Sequence, residues 1–355
     1  MHARGQSVID ATTAFSGAAQ ELDAAELTAD EQALLTGYYD EVFGPALAAA
    51  SGDVVDVAPF VPRAPAARYL QVHYTAPSSG FADAIAVDDA GDGSTWSSVH
   101  AQYHPYFRSM TERLDYEDVL LIDARGIVVY TAYKGVDLGT DLIAGPYRFS
   151  ALAEAYASAV GGAAVGDVVV TDFEVYPPSL DLPAGWAVTP VVSDGAIIGA
   201  MAVELPIARL AAVMTADGDW SRGGLGATGE AYLVGPDGIM RSPSRLLLQD
   251  PAAFATAARA AGAPADAVDL AVARGTTLAI LPVRTDAVAE AAAGRTGTLI
   301  ATGYLGGETL AAYGPVAVAG VDWAVIAELD STEAFAPVAD FTRNLVVSSA
   351  VLALI

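Results

Sequence analysis

The chain contains no cysteine, and Lys134 is its only lysine. Without cysteine it can form neither disulfides nor thiolate-based catalytic or metal sites. Basic residues are few: 17 lysines and arginines stand against 43 aspartates and glutamates, and the formal net charge is −26 at pH 7. A surface this acidic repels phosphate backbones, so we do not expect nucleic acid as a partner.

No amino-terminal export signal is visible, because residues 2–7 are polar and no apolar segment follows them. The carboxyl end is different. Leu345–Ile355 is an uncharged run of eleven residues, whereas a helix that spans a bilayer needs about 20. The run predicts the start of a membrane helix that continues past Ile355; a buried carboxyl-terminal helix is the alternative.

The chain has enough apolar material for a folded protein of about two domains. It has 355 residues, of which 53% are hydrophobic, and its mean hydropathy is +0.40. This composition excludes a largely disordered chain and allows a sizeable core.

One sequence pattern occurs twice. Residues 117–129, EDVLLIDARGIVV, and residues 230–241, EAYLVGPDGIMR, each contain an apolar run, a polar turn with glycine and a second apolar run. This pattern is typical of the strand–turn–strand opening of an antiparallel sheet. The two copies lie about a hundred residues apart, roughly the length of one small domain. They predict two sheet-bearing modules in tandem.

Helical patterns dominate the amino-terminal part. Residues 6–50 are rich in Ala, Leu, Glu and Gln, and Thr28 with Glu31 forms a capping-box pattern. Residues 95–114 predict a second long helix, with Pro105 as a kink. Another helix is expected over 149–160.

Strand patterns alternate with these helices in the rest of the chain. In the first module, five strands with one inserted helix predict a PAS-like α+β domain. In the second, an Ala-rich helical insertion is expected over 251–273. The predicted strands are 117–123, 127–134, 168–176, 186–192 and 196–204 in the first module, and 230–235, 239–242, 277–283, 297–304, 308–318 and 322–329 in the second.

Motifs for cofactors, metals and catalysis are weak. Gly224–Gly229 matches G-x-G-x-x-G but precedes a strand, whereas a dinucleotide site needs a helix there. Residues 88–93 resemble a calcium loop without its final Glu, since Val99 stands at the twelfth position. His100 and His104 share a predicted helix face without a metalloprotease motif. We therefore expect no cofactor, no metal and no enzyme activity in this chain.

A cluster of aromatic and charged residues on the first predicted sheet remains as a candidate site. Half-buried Asp and Lys in apolar strands are costly unless they are paired or used. Lys134 could hold an anionic group of a ligand and Asp172 a cationic one, with tyrosines as walls. A structural salt bridge with aromatic packing is the alternative. The proposed ligand-binding residues are Tyr130, Tyr133, Lys134, Asp172 and Tyr176.

Between residues 95 and 335, an ordered set of motifs lies at 103–108, 118–123, 129–140, 172–173, 176–179, 198–206, 229–242 and 323–328. This set resembles double Cache sensor domains. The resemblance implies a membrane-distal PAS-like pocket, a membrane-proximal PAS-like module and a carboxyl-terminal transmembrane helix. Such domains are extracytoplasmic parts of bacterial chemoreceptors, histidine kinases and membrane-bound nucleotide cyclases.

The fold class predicted from these patterns is α+β: a long amino-terminal helix, two tandem PAS-like antiparallel-sheet modules and a carboxyl-terminal helix that enters the membrane. The predicted domains are an amino-terminal helical region (1–94), a membrane-distal ligand-binding module (95–214), a membrane-proximal module (215–332) and a terminal helix (333–355). The second module is not expected to be the main ligand site, so changes at Tyr232 or Arg241 should alter stability more than affinity.

The predicted function is extracytoplasmic sensing of a small polar metabolite by a bacterial transmembrane receptor. The chain is expected at the bacterial cell membrane, anchored by its carboxyl-terminal helix, as a homodimer. Ligand binding would pass through that helix to a cytoplasmic output domain such as a nucleotide cyclase or a kinase. The alternatives are a secreted or surface solute-binding module without signalling output, and a hydrolase with an unrecognised site.

Overall fold

The computed structural model describes residues 2–52, 54–162, 164, 166–220, 222–318 and 320–354. It divides into two compact units, Met1–Pro206 and Ile207–Ile355, here called the first and the second unit. The sequence prediction placed the boundary between sheet modules after residue 214, and it treated residues 1–94 as a separate region. In the structure that region belongs to the first unit.

The first unit consists of helices packed on an antiparallel sheet. Helix spans and sheet strands agree with the predicted α+β class. The helices are α1 (His2–Glu21), α2 (Ala29–Gly37), α3 (Gly44–Ser51), α4 (Pro65–Leu70), α5 (Phe81–Ala86), α6 (Thr95–Leu114) and α7 (Ala151–Val160). The strands are β1 (Asp118–Asp123), β2 (Val128–Thr131), β3 (Val169–Val170), β4 (Glu174–Tyr176), β5 (Leu182–Ala184), β6 (Trp186–Ser193) and β7 (Ala196–Glu204).

The amino-terminal region is not one continuous helix. α1 ends at Glu21, and the chain is extended at Ala25 and Thr28 before α2 begins. The predicted capping box is confirmed: the Thr28 side chain accepts from the backbone N–H of Glu31, and the Glu31 carboxylate accepts from that of Thr28. Beyond α2, a π-helical segment, Tyr38–Phe43, leads into α3; a second one, Gln71–Thr75, follows α4.

The sheet of the first unit has the strand order β2-β1-β7-β6-β3. The predicted hairpin over 117–129 is confirmed as the β1–β2 pair. Its turn is closed by the Asp123 carboxylate, which accepts from the backbone N–H groups of Arg125 and Ile127, and Gly126 adopts a φ of +85°.

Successive side chains of β1 point to opposite sheet faces, and each face has its own hydrophobic core. On one face, here called the front, Leu120 and Ile122 pack with Trp186, Tyr156 and their neighbours beneath α7. On the other face, the back, Val119 and Leu121 pack with residues of α1 and α6. A residue's place in this alternation decides which core it can reach.

The predicted strand over 168–176 is corrected. It is broken into β3, which pairs with β6, and β4, which pairs with β5 outside the main sheet. The Thr171 hydroxyl donates to the Asp172 carbonyl and accepts from the Trp186 N–H, so the chain leaves the sheet at this point. Asp172 and Tyr176 are therefore not neighbours on one strand face.

The second unit is a smaller antiparallel sheet with helices packed against it. Its strand order is β8-β11-β10-β9, and its core includes Tyr232, Phe254, Leu281 and Ile326. The strands are β8 (Glu230–Val234), β9 (Gly297–Thr302), β10 (Glu308–Pro315) and β11 (Ala324–Asp330). The helices are α8 (Ile207–Thr215), α9 (Arg245–Gln249), α10 (Pro251–Ala260), α11 (Ala265–Arg274), α12 (Asp286–Ala292) and α13 (Ser331–Leu354).

Two predicted strands of the second unit are wrong. Residues 239–242 and 277–283 make only isolated bridges, Val234 with Met240 and Ile239 with Pro282. The Arg241 guanidinium donates to the Ile239 carbonyl and to Asp237, so the segment curls back on its own turn. The helical insertion predicted over 251–273 is confirmed as α10 and α11.

The carboxyl-terminal helix α13 begins at Ser331, and its described side chains from Phe335 onward are exposed. Within the described ranges, no helix combines the length and the apolar character that crossing a bilayer would require. Ile355, the last residue of the predicted membrane run, lies outside the described residues.

Removing residues 343–355 is expected to change the free energy of unfolding by no more than about 0.5 kcal/mol, because the described side chains at 343–350 are exposed. Thermal unfolding of the full and shortened chains measures this. Removal from residue 331 onward serves as the contrast, since it also deletes Glu333, whose carboxylate accepts from the backbone N–H groups of Ala227 and Thr228. If removal of residues 343–355 unfolds the second unit, the apolar run at the carboxyl end is part of its hydrophobic core.

Candidate functional site

Three acidic or aromatic residues lie directly opposite one another across the first sheet. Asp118 on β1 pairs with Glu204 on β7, and Glu204 pairs with Trp186 on β6. Directly opposed residues share a sheet face, and the alternation places this row on the front face beside Leu120 and Ala202. The row therefore brings two carboxyl groups and an indole to one end of the front core.

Both carboxyl groups are buried, with Asp118 and Glu204 each only 7% exposed. Burial, with a smaller contribution from Asp137, raises the pKa of Asp118 to about 8. Burial and the neighbouring Asp118 raise the pKa of Glu204 well above its ordinary value. Because a charged carboxylate is costly here, each group favours a proton or a cationic partner.

Asp137 adds a third buried carboxyl group to the front face. The Tyr176 O–H donates to its Oδ2 over 3.0 Å, and burial raises its pKa to about 6. Its loop is fixed by Gln71, whose Nε2 donates to the carbonyls of Val136 (2.7 Å) and Leu138 (3.0 Å). The Tyr39 hydroxyl in turn donates to Oε1 of Gln71 over 2.7 Å. The two π-helical segments thus position the Asp137 loop.

Aromatic side chains surround the Asp137 carboxyl group. The ring of Tyr176 lies 5.8 Å from that of Tyr147 and 5.3 Å from that of Trp186, measured between centroids. Phe60 also stacks on Tyr147. The carboxyl groups and the rings together define what we call the front site: Asp118, Asp137, Tyr147, Tyr176, Trp186 and Glu204.

Three buried polar atoms of the front face have no hydrogen-bond partner within the part of the chain that the structure describes. They are the hydroxyl of Tyr147, the indole Nε1 of Trp186 and the hydroxyl of Thr131, which is paired with Leu120. Native proteins satisfy nearly all buried polar groups, so unpartnered ones require an explanation. Carboxyl acceptors beside unpartnered donors suit a small polar molecule that carries both a cationic group and a hydrogen-bond acceptor.

The sequence-predicted site residues are divided between the two faces. Tyr176 belongs to the front core, whereas Tyr130 and the partly buried Tyr133 pack into the back core. Asp172 accepts from the backbone N–H of Phe173 at the point where the chain leaves the sheet. Of the five, Tyr176 alone is part of the front site.

Lys134 lies beyond the end of β2, in a left-handed conformation with a φ of +52°, which is strained for a residue other than glycine. Its buried Nζ donates to the carbonyls of Ala84 (2.7 Å) and Val87 (3.2 Å) and lies 3.0 Å from His104 Nε2. Burial lowers its pKa to about 7, against the carboxylates of Asp118 and Asp88, which raise it. The ammonium group therefore holds the carboxyl-terminal end of α5 and the residue that follows it.

The histidine pair belongs to the same back-face network. The rings of His100 and His104 stack at 4.3 Å between centroids. Nδ1 of His100 lies 2.7 Å from the Asp88 carbonyl, and Nδ1 of His104 lies 2.7 Å from the Tyr130 hydroxyl. These contacts tie the two histidines to a backbone carbonyl and a tyrosine hydroxyl. The suspected calcium loop is a turn in which the Asp89 and Asp92 carboxylates accept from backbone N–H groups.

Sequence reasoning missed Asp118, Asp137, Glu204, Tyr147 and Trp186. Asp118 and Glu204 stand at the ends of apolar strands whose spans were predicted correctly, so their burial could have been suspected. The signal for Asp137 and Tyr147 was absent, because loop residues carry no periodicity.

No protein-family model and no curated protein matches the chain. Several solved structures are similar at a distance. The ligand-binding domain of the Pseudomonas fluorescens chemoreceptor CtaA with L-isoleucine has 16% identity and a TM-score of 0.36, over 62% of this chain and 71% of that one. The Pseudomonas aeruginosa PctB domain with L-Arg has 15% identity and a TM-score of 0.37, over 62% of this chain and 74% of that one. The V. cholerae histidine kinase DctB sensor domain has 13% identity and a TM-score of 0.39, over 85% of this chain and 99% of that one. All three are sensor or ligand-binding domains.

Proposed function

We propose that this chain is the extracytoplasmic small-molecule sensing part of a bacterial transmembrane receptor, and that its ligand binds at the front site of the first unit. One observation carries the proposal. Three buried carboxyl groups, Asp118, Asp137 and Glu204, share a sheet face with buried polar atoms of Tyr147 and Trp186 that have no partner among the described residues. A site made for packing alone would not place unpartnered buried donors beside three buried carboxyl groups.

The ligand class follows from charge. The front site offers three carboxyl groups and aromatic walls, so the ligand carries a cationic nitrogen, which carboxylates bind and aromatic faces accept. Lys134 supplies no cation there, because its ammonium group donates to the carbonyls of Ala84 and Val87. The tyrosine hydroxyl and the indole N–H then donate to a carbonyl or carboxylate of the same ligand.

In this proposal the chain does no chemistry of its own. A ligand that binds one conformation of the first unit more tightly shifts the population towards it. A continuation of α13 through the membrane would pass that shift to a cytoplasmic output domain, with a nucleotide cyclase and a kinase as the candidates. A homodimer is the expected assembly.

Thermal-shift screening of amino acids, amines and dicarboxylates against the full chain should identify a ligand with a cationic group. Titration of that ligand is then expected to show that Glu204→Gln weakens binding by about tenfold or more, since a buried charge partner is lost. Tyr147→Phe should also weaken binding while leaving the ligand-free protein as stable as the parent, because the hydroxyl that it removes has no partner among the described residues.

Tyr156→Phe is the matched control for Tyr147→Phe. Tyr156 lies in the same front core, but its hydroxyl donates to the Asp123 carbonyl over 2.9 Å. Its loss should cost about 1 kcal/mol of stability and leave affinity unchanged. If Glu204→Gln and Tyr147→Phe both bind the ligand as the parent does while folded, the front site is not the ligand site. A ligand recovered chemically altered would favour the hydrolase alternative.

A further inference from the structure

The second unit has a cleft of its own, with a volume of about 300 Å³. It opens where the ends of β8 and β11 meet the turn between β9 and β10. Glu230, Glu328 and Asp330 contribute three carboxyl groups to its lining, and Arg245 and Tyr304 are among its other polar residues. Pockets of this size hold small metabolites.

Glu328 directs a carboxylate oxygen into this cleft. The residue is only 7% exposed, and its Oε1 accepts from the Tyr232 hydroxyl over 2.6 Å. Its Oε2 has no hydrogen-bond partner in the ranges that the structure describes. A Cβ at Gly303 would lie 2.6 Å from that oxygen. The glycine therefore leaves the oxygen accessible from the cleft.

A second buried carboxyl group faces Glu328 across the sheet. Glu230 on β8 is the direct partner of Glu328 on β11 and is equally buried. Like charges directly opposite one another destabilise a sheet. Burial, followed by the weaker effect of Glu328, raises the pKa of Glu230 to about 7. The pair is therefore best satisfied by a proton or by a cation between the two groups.

The charge of Arg245 lowers the pKa of Glu230, but its guanidinium group makes its hydrogen bonds elsewhere. Its Nη1 donates to the backbone carbonyls of Gly226 and Gly229, and its guanidinium carbon lies 4.8 Å from the centre of the Trp220 ring. The backbone N–H of Arg245, not its side chain, donates to Glu230 Oε2 over 2.7 Å. The negative charge of the glutamate pair thus remains open to a ligand.

We infer that this cleft is a second ligand site, which binds a small organic amine between Glu230 and Glu328. An ammonium group can donate to the open oxygen of Glu328 and to Glu230 at once. A bare metal ion fits less well, because the described residues contain no group of three or more Asp, Glu, His or Cys arranged to hold one. The site is independent of the front site and does not require that the front site bind anything.

The test titrates the full chain calorimetrically with ethanolamine and putrescine, and with ethylene glycol and 1,4-butanediol as neutral counterparts. The Glu204→Gln background removes the carboxylate on which the front site depends. In the Glu204→Gln variant, the amines are expected to bind and the diols are not. Glu328→Gln should then weaken amine binding by about tenfold or more, while its amide oxygen can still accept from Tyr232. Amine affinity should also be weaker at pH 6 than at pH 8, because protons compete for the pair.

Glu308→Gln is the matched control, since Glu308 is an exposed residue of β10 in the same unit, and it should bind amines like the parent. Hydrogen exchange of the parent gives a second readout that needs no variant: amines should protect residues 228–232 and 303–307. The inference is overturned if no amine gives saturable binding, if the diols or Mg²⁺ bind as well as the amines, or if Glu308→Gln loses as much affinity as Glu328→Gln. If the Glu328→Gln variant still binds a ligand at the front site, the proposed sensing function stands in each of these cases.

Discussion

The first unit is expected to become easier to unfold as the pH rises from about 4 to about 8. Asp118 and Asp137 have folded pKa values of about 8 and about 6, both above the unfolded value of about 3.9. The folded state therefore binds their protons more tightly. Their stabilising contribution is fully present below about pH 4 and is lost as the pH rises through the folded values, at no more than about 1.4 kcal/mol per pH unit for each group.

Urea unfolding followed by hydrogen exchange in β1 measures this effect, and Asp118→Asn isolates it. Asparagine keeps an oxygen acceptor for the backbone N–H groups of Val119 and Ala132, which Asp118 now satisfies, but it does not titrate. The stability of Asp118→Asn relative to the parent should rise by a few kcal/mol between pH 5 and pH 8. Glu26→Gln, at an exposed position, is the control variant. A parent and an Asp118→Asn variant with parallel pH profiles would show that Asp118 is ionised in the folded state.

Lys134 affects the pH dependence of stability in the opposite direction and over a higher pH range. Its folded pKa of about 7 lies below the unfolded value of about 10.4. Its charged form is disfavoured in the folded protein, so its contribution to stability improves as the pH rises from about 7 to about 10. Measurements between pH 5 and pH 7 therefore report mainly on the carboxyl groups.

Sequence patterns located most of the elements of the first unit because their periodicity was strong. The helix predicted over 95–114 has those bounds in the structure, since Ser94 caps its first turn and Asp115 ends it in a left-handed conformation. The strand predicted over 168–176 was wrong because the break depends on the side chain of Thr171, which binds the chain locally. Local hydrogen bonds of this kind compete with a strand without changing the apolar pattern.

The candidate site was harder to predict than the fold. Lys134 was expected to face the same pocket as Asp172, on the assumption that β2 continues to residue 134. The strand ends at Thr131, and the left-handed turn at Lys134 carries its side chain to the carbonyls of Ala84 and Val87, at the end of α5 and just after it. Asp137 and Tyr147 approach Tyr176 only through tertiary packing. Alternation along a strand can predict a face, but it cannot predict which loops cover that face.

Phe15→Ala is expected to destabilise the first unit by about 3–5 kcal/mol, the usual cost of removing a fully buried aromatic ring. Phe15 is a fully buried residue of α1 in the back core. Its ring centre lies 4.9 Å from that of Tyr130 and 5.4 Å from that of Trp96, so it joins α1 to both the sheet and α6. Chemical denaturation followed by tryptophan fluorescence measures the loss.

Phe149→Ala is the matched control, because Phe149 is the same residue type in the same unit but 79% exposed; it should cost no more than about 1 kcal/mol. Hydrogen exchange adds a local readout, since α1 should lose protection in Phe15→Ala before β6 and β7 do. A cost for Phe15→Ala no larger than that of the control would mean that α1 is not held against the sheet. In the proposed receptor, α1 could then not respond to a change at the front site, because a helix must be packed on the sheet to move with it.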